Sequence, residues 1–325
     1  MTRAMNWISY GLLFAVSIAS IYNSARASLS VENKNTEKIS RRDAFVFPFL
    51  SSAFLFGLYV FLKALGKRWA NALLSSYFVW AGSLLLYTAA IPHFPRMAGI
   101  SFTASLSLKR REDTTRKTDF VVTLDQMLCM AFCALFSLLY FLTKAHLLNN
   151  TFALLLIHTA VKTLQIDSFS TAFLLFGGLF IYDVFWVSMT PVMVSVATQI
   201  SLPLKLVVVI NSKKAILGLG DVILPGLFSS LCLRFDKHRQ RRLGREDASV
   251  SLRKTPYFLA SLLGYTSGML ATFWALLVFK NPQPALLYLS PACVLSVLAC
   301  AALRKETNQM LRFRDETKAE SRKEK

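Results

Sequence analysis

The sequence predicts an all-α polytopic membrane protein with nine transmembrane helices. Of the 325 residues, 54% are hydrophobic, and they gather in runs of about 20. A helix of about 20 apolar residues crosses a hydrocarbon core of about 30 Å. The predicted spans are Trp7–Asn23, Ala44–Leu62, Ala70–Ile91, Phe120–Leu142, Leu147–Leu164, Phe169–Ser188, Ala215–Leu233, Tyr257–Phe279 and Pro284–Leu303.

The distribution of Lys and Arg predicts the orientation of these spans. If the N-terminus lies outside, 28 of the 37 Lys and Arg fall on inside segments and 9 on outside segments. This is the positive-inside asymmetry, and it predicts a luminal N-terminus and a cytosolic C-terminus. A further span over Pro191–Ile210 would leave 15 basic residues inside against 21 outside and would bury Lys205. We therefore place this run outside the membrane.

The chain carries a net charge of +19, which predicts binding to an anionic partner. A basic surplus on the inside segments fits anionic lipid headgroups, so the lipid bilayer is the expected partner. No aromatic and basic module accompanies the charge, and we expect no nucleic-acid binding. The first span is interpreted as a membrane helix rather than a cleaved signal peptide, because it is long and Asn23–Arg26 is a poor cleavage site.

Two aspartates lie within successive predicted helices. Asp183 falls about two thirds along the sixth span and Asp221 about one third along the seventh, which places both at similar depth near the outer leaflet. An ionisable group at a helix centre costs about 2.5–3.5 kcal/mol on insertion scales, so such residues are candidates for a functional site. Two adjacent carboxylates share a proton and can act as acid and base. Polarity alone leaves two functions open, amide hydrolysis and proton or cation transport.

Glycines beside the second aspartate favour hydrolysis over transport. Gly218 and Gly220 flank Leu219 immediately before Asp221, and glycine allows a helix to open or another backbone to approach closely. Small residues also pack helices together, which is the alternative interpretation. Pro284, Ala285 and Leu286 open the ninth span, where proline is ordinary in a first turn. This segment would also offer a rigid surface for another helix end.

Three motifs in order carry a resemblance to a known family. They are Tyr-Asp-Val-Phe-Trp-Val at 182–187, Gly-Leu-Gly-Asp-Val-Ile-Leu-Pro-Gly at 218–226 and Gln-Pro-Ala-Leu-Leu-Tyr at 283–288. Together with Leu-Arg-Phe-Asp at 233–236, they resemble the presenilin and signal peptide peptidase family, and within it the signal peptide peptidase branch. The resemblance covers nearly the whole chain, including helix number and orientation.

The resemblance implies a presenilin-like fold and an intramembrane aspartyl protease of the GxGD type. Asp183 and Asp221 would be the catalytic pair. Supporting positions would be Tyr182, Gly218, Leu219, Gly220, Pro284, Ala285 and Leu286. The family cleaves membrane-embedded signal peptide remnants and type II transmembrane segments, which implies an endoplasmic reticulum, multi-pass location. Only 26 residues separate Ser188 from Ala215, so the resemblance implies activity without the cleaved loop of presenilins.

The resulting organisation has three regions. Residues 1–164 would form five helices for scaffolding and substrate gating, 165–303 the four catalytic helices, and 304–325 a charged cytosolic tail. The polar loops Pro95–Asp119 and Asp236–Thr255 are expected to be flexible connectors. All five cysteines fall in predicted spans and no HExxH motif occurs, so we expect no metal, no cofactor and no disulfide framework.

The predicted mechanism uses water and no metal. A substrate helix would enter laterally and unwind, and the run Leu202–Ile210 would pair with it by strand addition. Non-proteolytic binding of signal peptides or misfolded membrane proteins is a further alternative, and a homo-oligomer is left open. The sequon Asn149-Asn150-Thr151 is expected to be unused because it lies against the membrane, and Arg322–Lys325 approximates a retrieval signal.

Overall fold

The protein is described by a computed structural model covering residues 2–30, 37–91, 101–107, 117–188, 205–210, 213–244, 252, 254–279 and 284–315. Helices make up most of this part of the chain. They are α1 (Thr2–Ser28), α2 (Arg41–Ala90), α3 (Leu124–Thr143), α4 (His146–Thr163), α5 (Phe169–Ser188), α6 (Gly220–Arg242), α7 (Pro256–Phe279), α8 (Leu286–Leu303) and the short α9 (Thr307–Arg312).

Helix α2 begins at a capping box and breaks at a glycine. The Asp43 carboxylate accepts the Ser40 backbone amide at 2.9 Å, and Ser40 Oγ accepts the Asp43 amide at 3.4 Å. Gly66 has φ 77° and ψ 154°, a conformation that favours glycine, and it divides α2 into two helical halves. The second and third predicted spans occupy these halves.

Six stretches of the described helices are long and apolar enough to cross a membrane. They are Arg41–Gly66, Arg68–Ala90, Leu124–Thr143, Phe169–Val187, Pro256–Phe279 and Leu286–Leu303. The first, fifth and seventh predicted spans fall on α1, α4 and α6, which are helices that do not meet this criterion. Nine crossings and their orientation therefore stay predictions.

The helices divide into an interior group and a peripheral pair. Helices α1 and α4–α8 supply most of the core, including the fully buried rings of Phe169, Phe228 and Tyr265. Helices α2 and α3 instead turn large apolar side chains outward, as with Phe54 and Trp80. A large exposed apolar surface marks contact with a partner or a membrane, and lipid is the natural covering for this one.

Two glycines let the interior helices α7 and α8 approach closely. A Cβ atom at Gly264 would lie 2.7 Å from the Ala292 carbonyl oxygen, and one at Gly268 would lie 3.0 Å from Leu289 Cα. Larger residues would therefore force the two backbones apart. Small residues play this role widely in membrane helix packing.

The prediction of an all-α fold was incomplete, because the described residues also contain three pairs of strands. The parallel pair joins β1 (Glu37–Ile39) and β4 (Leu164–Ile166), and the antiparallel pairs join β2 (Ser101–Ser107) to β3 (Lys117–Thr123) and β5 (Lys205–Ile210) to β6 (Lys213–Gly218). The β2–β3 pair occupies part of the segment predicted to be a flexible connector.

The basic end of the fold is more ordered than the sequence suggested. Helix α6 continues to Arg242, past the predicted span end at Leu233, so the start of the expected connector Asp236–Thr255 is helical. The tail folds back, and Asp315 forms a salt bridge of 2.7 Å with Arg234. Residues 316–325, with the predicted retrieval signal, lie outside the described part of the chain.

Candidate active site

Asp183 lies on α5 with its side chain turned into the protein. The residue is 5% exposed, whereas its neighbour Ile181 is 69% exposed and faces outward. The Trp186 indole nitrogen, one turn further along, donates to Ser52 Oγ at 3.0 Å and ties α5 to α2. The Tyr182 ring packs near Trp186, with ring centroids 6.5 Å apart. Tyr182 and Trp186 thus hold the end of α5 that presents the carboxylate.

The segment that opens α8 reaches Asp183 through its backbone. The Leu286 amide, at the first residue of α8, donates to Asp183 Oδ2 at 3.3 Å. Pro284 and Leu286 are buried, and Ala285 lies between them half-buried. The first amides of a helix lack intrahelical acceptors, so the carboxylate satisfies one of them. Leu286 thus contacts Asp183 through one backbone hydrogen bond, and the supporting role of Pro284–Leu286 stays a prediction.

Asp221 lies in the first turn of α6, which differs from the expected position one third along a helix. The prediction of a helix over Ala215–Leu233 was wrong at its start, because Lys213–Gly218 forms β6 and the helix begins at Gly220. A carboxylate in a first turn is stabilised by the partial positive charge of the helix N-terminus. Asp221 is half-buried and Leu219 is buried.

The two glycines occupy the strand-to-helix junction and have different surroundings. A Cβ atom at Gly218 would lie 3.2 Å from Asp221 Oδ2, which is tighter than an ordinary contact. At Gly220, a Cβ atom would meet no described atom within 4 Å, and the residue is exposed. Gly218 therefore leaves room for the Asp221 carboxylate, and Gly220 leaves open backbone beside it.

The fold brings the two aspartates into one region. Asp183 and Asp221 lie within range of each other's charge, although 37 residues separate them along the sequence. Helix α8 contributes to the same region through the Leu286 amide. All the predicted site residues in the described ranges thus lie on α5, the β6–α6 junction or the start of α8. Gln283 lies outside the described residues.

The β5–β6 hairpin leads directly into Asp221 and was missed by sequence reasoning. Its register pairs Lys205 with Gly218 and Val207 with Ile216. The run Leu202–Ile210 had been expected to pair with substrate, but within the described residues 205–210 it pairs with β6. Ala215 and Leu217 are buried while Ile216 is exposed, and this alternation is the period of a strand.

Two asparagines on α4 hold this hairpin and were also missed. Asn150 Nδ2 donates to the Val207 carbonyl at 2.7 Å, and its Oδ1 accepts the Val207 amide at 2.9 Å. Asn149 Nδ2 donates to the Lys205 carbonyl, also at 2.7 Å. The sequon that they form was the only signal in the sequence that drew attention to this pair.

At the opposite end of α6, Asp236 is buried and partnered. Its Oδ2 accepts the Phe258 amide, in the first turn of α7, at 2.8 Å. Burial raises the pKa of the Asp236 carboxyl from an ordinary 3.8 to about 7, although amide hydrogen bonds and the charges of Arg239 and Arg304 oppose the shift. In the part of the chain that the structure describes, no three His, Cys, Asp or Glu side chains converge as metal ligands.

Comparisons with known proteins identify relatives along nearly the whole chain. The sequence family described as signal peptide peptidase matches residues 31–317. The chain is 33% identical to the signal peptide peptidases of Homo sapiens and Mus musculus, over 95% of its own length and 84% and 83% of theirs. It is 31% identical to a probable intramembrane protease of Schizosaccharomyces pombe, over 95% of this chain and 96% of that protein.

These matches define a class of polytopic membrane protease. The chain belongs to the signal peptide peptidase family.

Proposed function

We propose that the chain is an aspartic endopeptidase that uses Asp183 and Asp221 to cleave transmembrane segments within the bilayer. The proposal rests on two carboxylates from different elements that lie within range of each other's charge, where Asp183 accepts the Leu286 amide and Gly218 leaves room for Asp221. Family membership favours this function over a transporter, a channel or a non-proteolytic binder.

The chemistry needs one ionised and one protonated carboxyl. The ionised carboxylate takes a proton from water as the water oxygen attacks the scissile carbonyl carbon, and the protonated carboxyl donates to the carbonyl oxygen. The tetrahedral intermediate then collapses, the C–N bond breaks, and the leaving nitrogen takes a proton from the pair. The products are a carboxylic acid and an amine, with one water consumed.

The substrate must present an extended backbone, because an intact helix hides its carbonyls. Exposed Gly220 and the outer edge of β6 supply such a surface next to Asp221. A strand added at that edge would make main-chain hydrogen bonds. Residues 205–210 are already paired with β6, so we place substrate pairing on Lys213–Gly218 instead of Leu202–Ile210.

The proposed substrates are signal peptides left in the membrane and type II transmembrane segments, and the proposed location is the endoplasmic reticulum membrane. The human and mouse relatives are named signal peptide peptidase, which supports this substrate class. Lipid is the expected surrounding, and no cofactor is proposed.

The proposal is tested with purified full-length protein in detergent and a synthetic signal peptide. We expect fragments from the wild type and from Asp125→Asn, a control that removes a carboxylate at the start of α3. We expect none from Asp221→Ala, with mass spectrometry as the readout. Equal fragment yields from Asp221→Ala and the wild type would reject the proposal.

A further inference from the structure

The Asn150 side chain forms both hydrogen bonds with the Val207 backbone that a neighbouring β-strand would form. Its amide donates to the Val207 carbonyl at 2.7 Å and accepts the Val207 amide at 2.9 Å. Two residues that exchange both hydrogen bonds form the hydrogen-bonded pair of an antiparallel sheet. Asn150 reproduces that exchange from the first turns of a helix.

Asn149 makes a similar contact with Lys205, two residues before Val207 on β5. Its Nδ2 donates to the Lys205 carbonyl at 2.7 Å and lies 3.3 Å from Asn150 Oδ1. Backbone groups of residues i and i+2 point to the same edge of a strand, so Lys205 and Val207 present one edge to α4. The other edge of β5 is paired with β6.

Helix α1 packs against the hairpin, and the outer edge of β6 pairs with no described strand. Both edges of β5 are engaged, and among the described residues β6 pairs with no strand except β5. The free edge of β6 runs along Lys213–Gly218 and ends two residues before α6 begins, next to Asp221. Any shift of β5 along α4 would move this edge relative to the catalytic carboxylates.

We propose that Asn149 and Asn150 are positioning residues that fix the position of the hairpin along α4. Through that position they determine which peptide bond of the substrate lies next to the aspartates. This inference rests on the proposed function. The hydrogen bonds of the two side chains go to the β5 backbone and between each other, so their action on the reaction is indirect.

The same contacts remove the Asn149 amide from modification. Asn149 is 6% exposed, and the nitrogen that would carry a glycan is bonded to Lys205. In the folded protein, the asparagine of the sequon therefore binds the hairpin backbone instead of carrying a glycan. This gives a matched control, because Thr151→Ala abolishes the sequon but loses only a bond of 3.1 Å to the Leu147 carbonyl within α4.

The test compares Asn150→Leu, Asn150→Asp, Asn149→Leu and Thr151→Ala in purified full-length protein with a synthetic signal peptide. Initial rates give kcat and KM, and mass spectrometry gives the cut positions. We expect Asn150→Leu to raise KM by about tenfold, because two hydrogen bonds are lost, and to spread cleavage over neighbouring bonds. Asn150→Asp keeps an acceptor and should be milder, and Thr151→Ala should match the wild type.

Hydrogen exchange of the peptide covering residues 205–210 provides a readout that does not depend on cleavage. Faster exchange in Asn150→Leu than in Thr151→Ala is expected. Unchanged exchange, or unchanged KM and cut positions with a rate reduced only in proportion to the folded fraction, would overturn the inference. If Asn150→Leu does not fold, Asn150→Asp and Asn149→Leu decide by the same criteria.

Failure of the proposed function would look different from failure of this inference. A wild-type protein that releases no Asp221-dependent fragments contradicts the protease, and the positioning role falls with it. A wild type that cleaves, with asparagine variants that cut at the same bonds and the same KM, contradicts the positioning role alone.

Discussion

The backbone amide of Leu286 donates to the Asp183 carboxylate at 3.3 Å, joining residues 103 positions apart in the sequence. The bond connects the first residue of α8 to the part of α5 that carries the predicted catalytic carboxyl. We expect this bond to be the contact through which the start of α8 holds Asp183 in place.

This bond predicts that two substitutions of Asp183 differ in stability while sharing a loss of activity. Asp183→Asn keeps an oxygen acceptor for the Leu286 amide, whereas Asp183→Ala leaves that buried amide unsatisfied. We expect Asp183→Ala to be less stable than Asp183→Asn by about 1–3 kcal/mol, measured by thermal unfolding in detergent. Equal stability of the two variants would show that the bond contributes nothing.

Gly218 is predicted to protect the geometry of Asp221. An alanine there would place Cβ 3.2 Å from Asp221 Oδ2, so the carboxylate must shift by a few tenths of an ångström. We expect Gly218→Ala to lower kcat by about tenfold, since small displacements of catalytic groups are costly.

The control for Gly218 is Gly177→Ala on α5, where a Cβ atom would meet no described atom within 4 Å. Its kcat should stay at the wild-type value when both variants are assayed with the same peptide. An unaffected kcat in Gly218→Ala would mean that the Asp221 side chain has more room than the structure shows.

The salt bridge between Arg234 and Asp315 should stabilise the fold without affecting catalysis. The Arg234 side chain is 9% exposed, and Asp315 holds it at 2.7 Å. Asp315→Asn leaves a nearly buried cation without its counter-charge, so we expect a loss of about 3 kcal/mol in unfolding free energy. Cleavage per folded molecule should not change.

Glu306→Gln is the matched control for this salt bridge. Its partner Arg239 lies 3.5 Å away and both side chains are more than 20% exposed. A pair of this kind contributes about 1 kcal/mol or less. A loss in Asp315→Asn no larger than in Glu306→Gln would contradict the role given to the folded-back tail.

The buried Asp236 should make stability fall as the pH rises. Its pKa lies above the unfolded value, at about 7 against 3.8. The stabilising contribution is therefore complete below pH 3.8 and is lost as the pH rises through 7. Asp236→Asn carries no charge and can still accept the Phe258 amide, so its stability should change less over this range.

Thermal unfolding of wild type and Asp236→Asn at pH 5, 6, 7 and 8 checks this prediction. Between pH 5 and pH 8, the difference in unfolding free energy should move in favour of Asp236→Asn by about 3 kcal/mol. A difference that is constant with pH, or that favours the wild type at pH 8, would contradict the assignment.

The sequence predicts the helices of this fold better than it predicts its strands. The predicted span Phe169–Ser188 coincides with α5, and the span Pro284–Leu303 begins two residues before α8. Both are continuous apolar runs whose only stable form in lipid is helical. The run Ala215–Leu233 is equally apolar, so hydropathy could not separate its first residues, in β6, from the helix that follows.

The candidate site was only partly visible in the sequence. Asp183 and Asp221 stand out because charged residues are rare in apolar runs. Asn149 and Asn150 do not, because polar residues at a helix start look like an ordinary solvent-facing turn. Their partners lie 56 and 57 positions away on β5, and only the folded chain brings them together.

The most direct measurement is the rate of signal-peptide cleavage by Asp183→Asn, Asp221→Asn and the double variant, against wild type and Asp125→Asn. Two carboxyls that act as one unit lose nearly all activity when either is changed, so we expect each single variant to fall to the level of the double variant. Asp125→Asn should retain the wild-type rate. Cleavage at a wild-type rate by either single variant would contradict a shared role for Asp183 and Asp221 in hydrolysis.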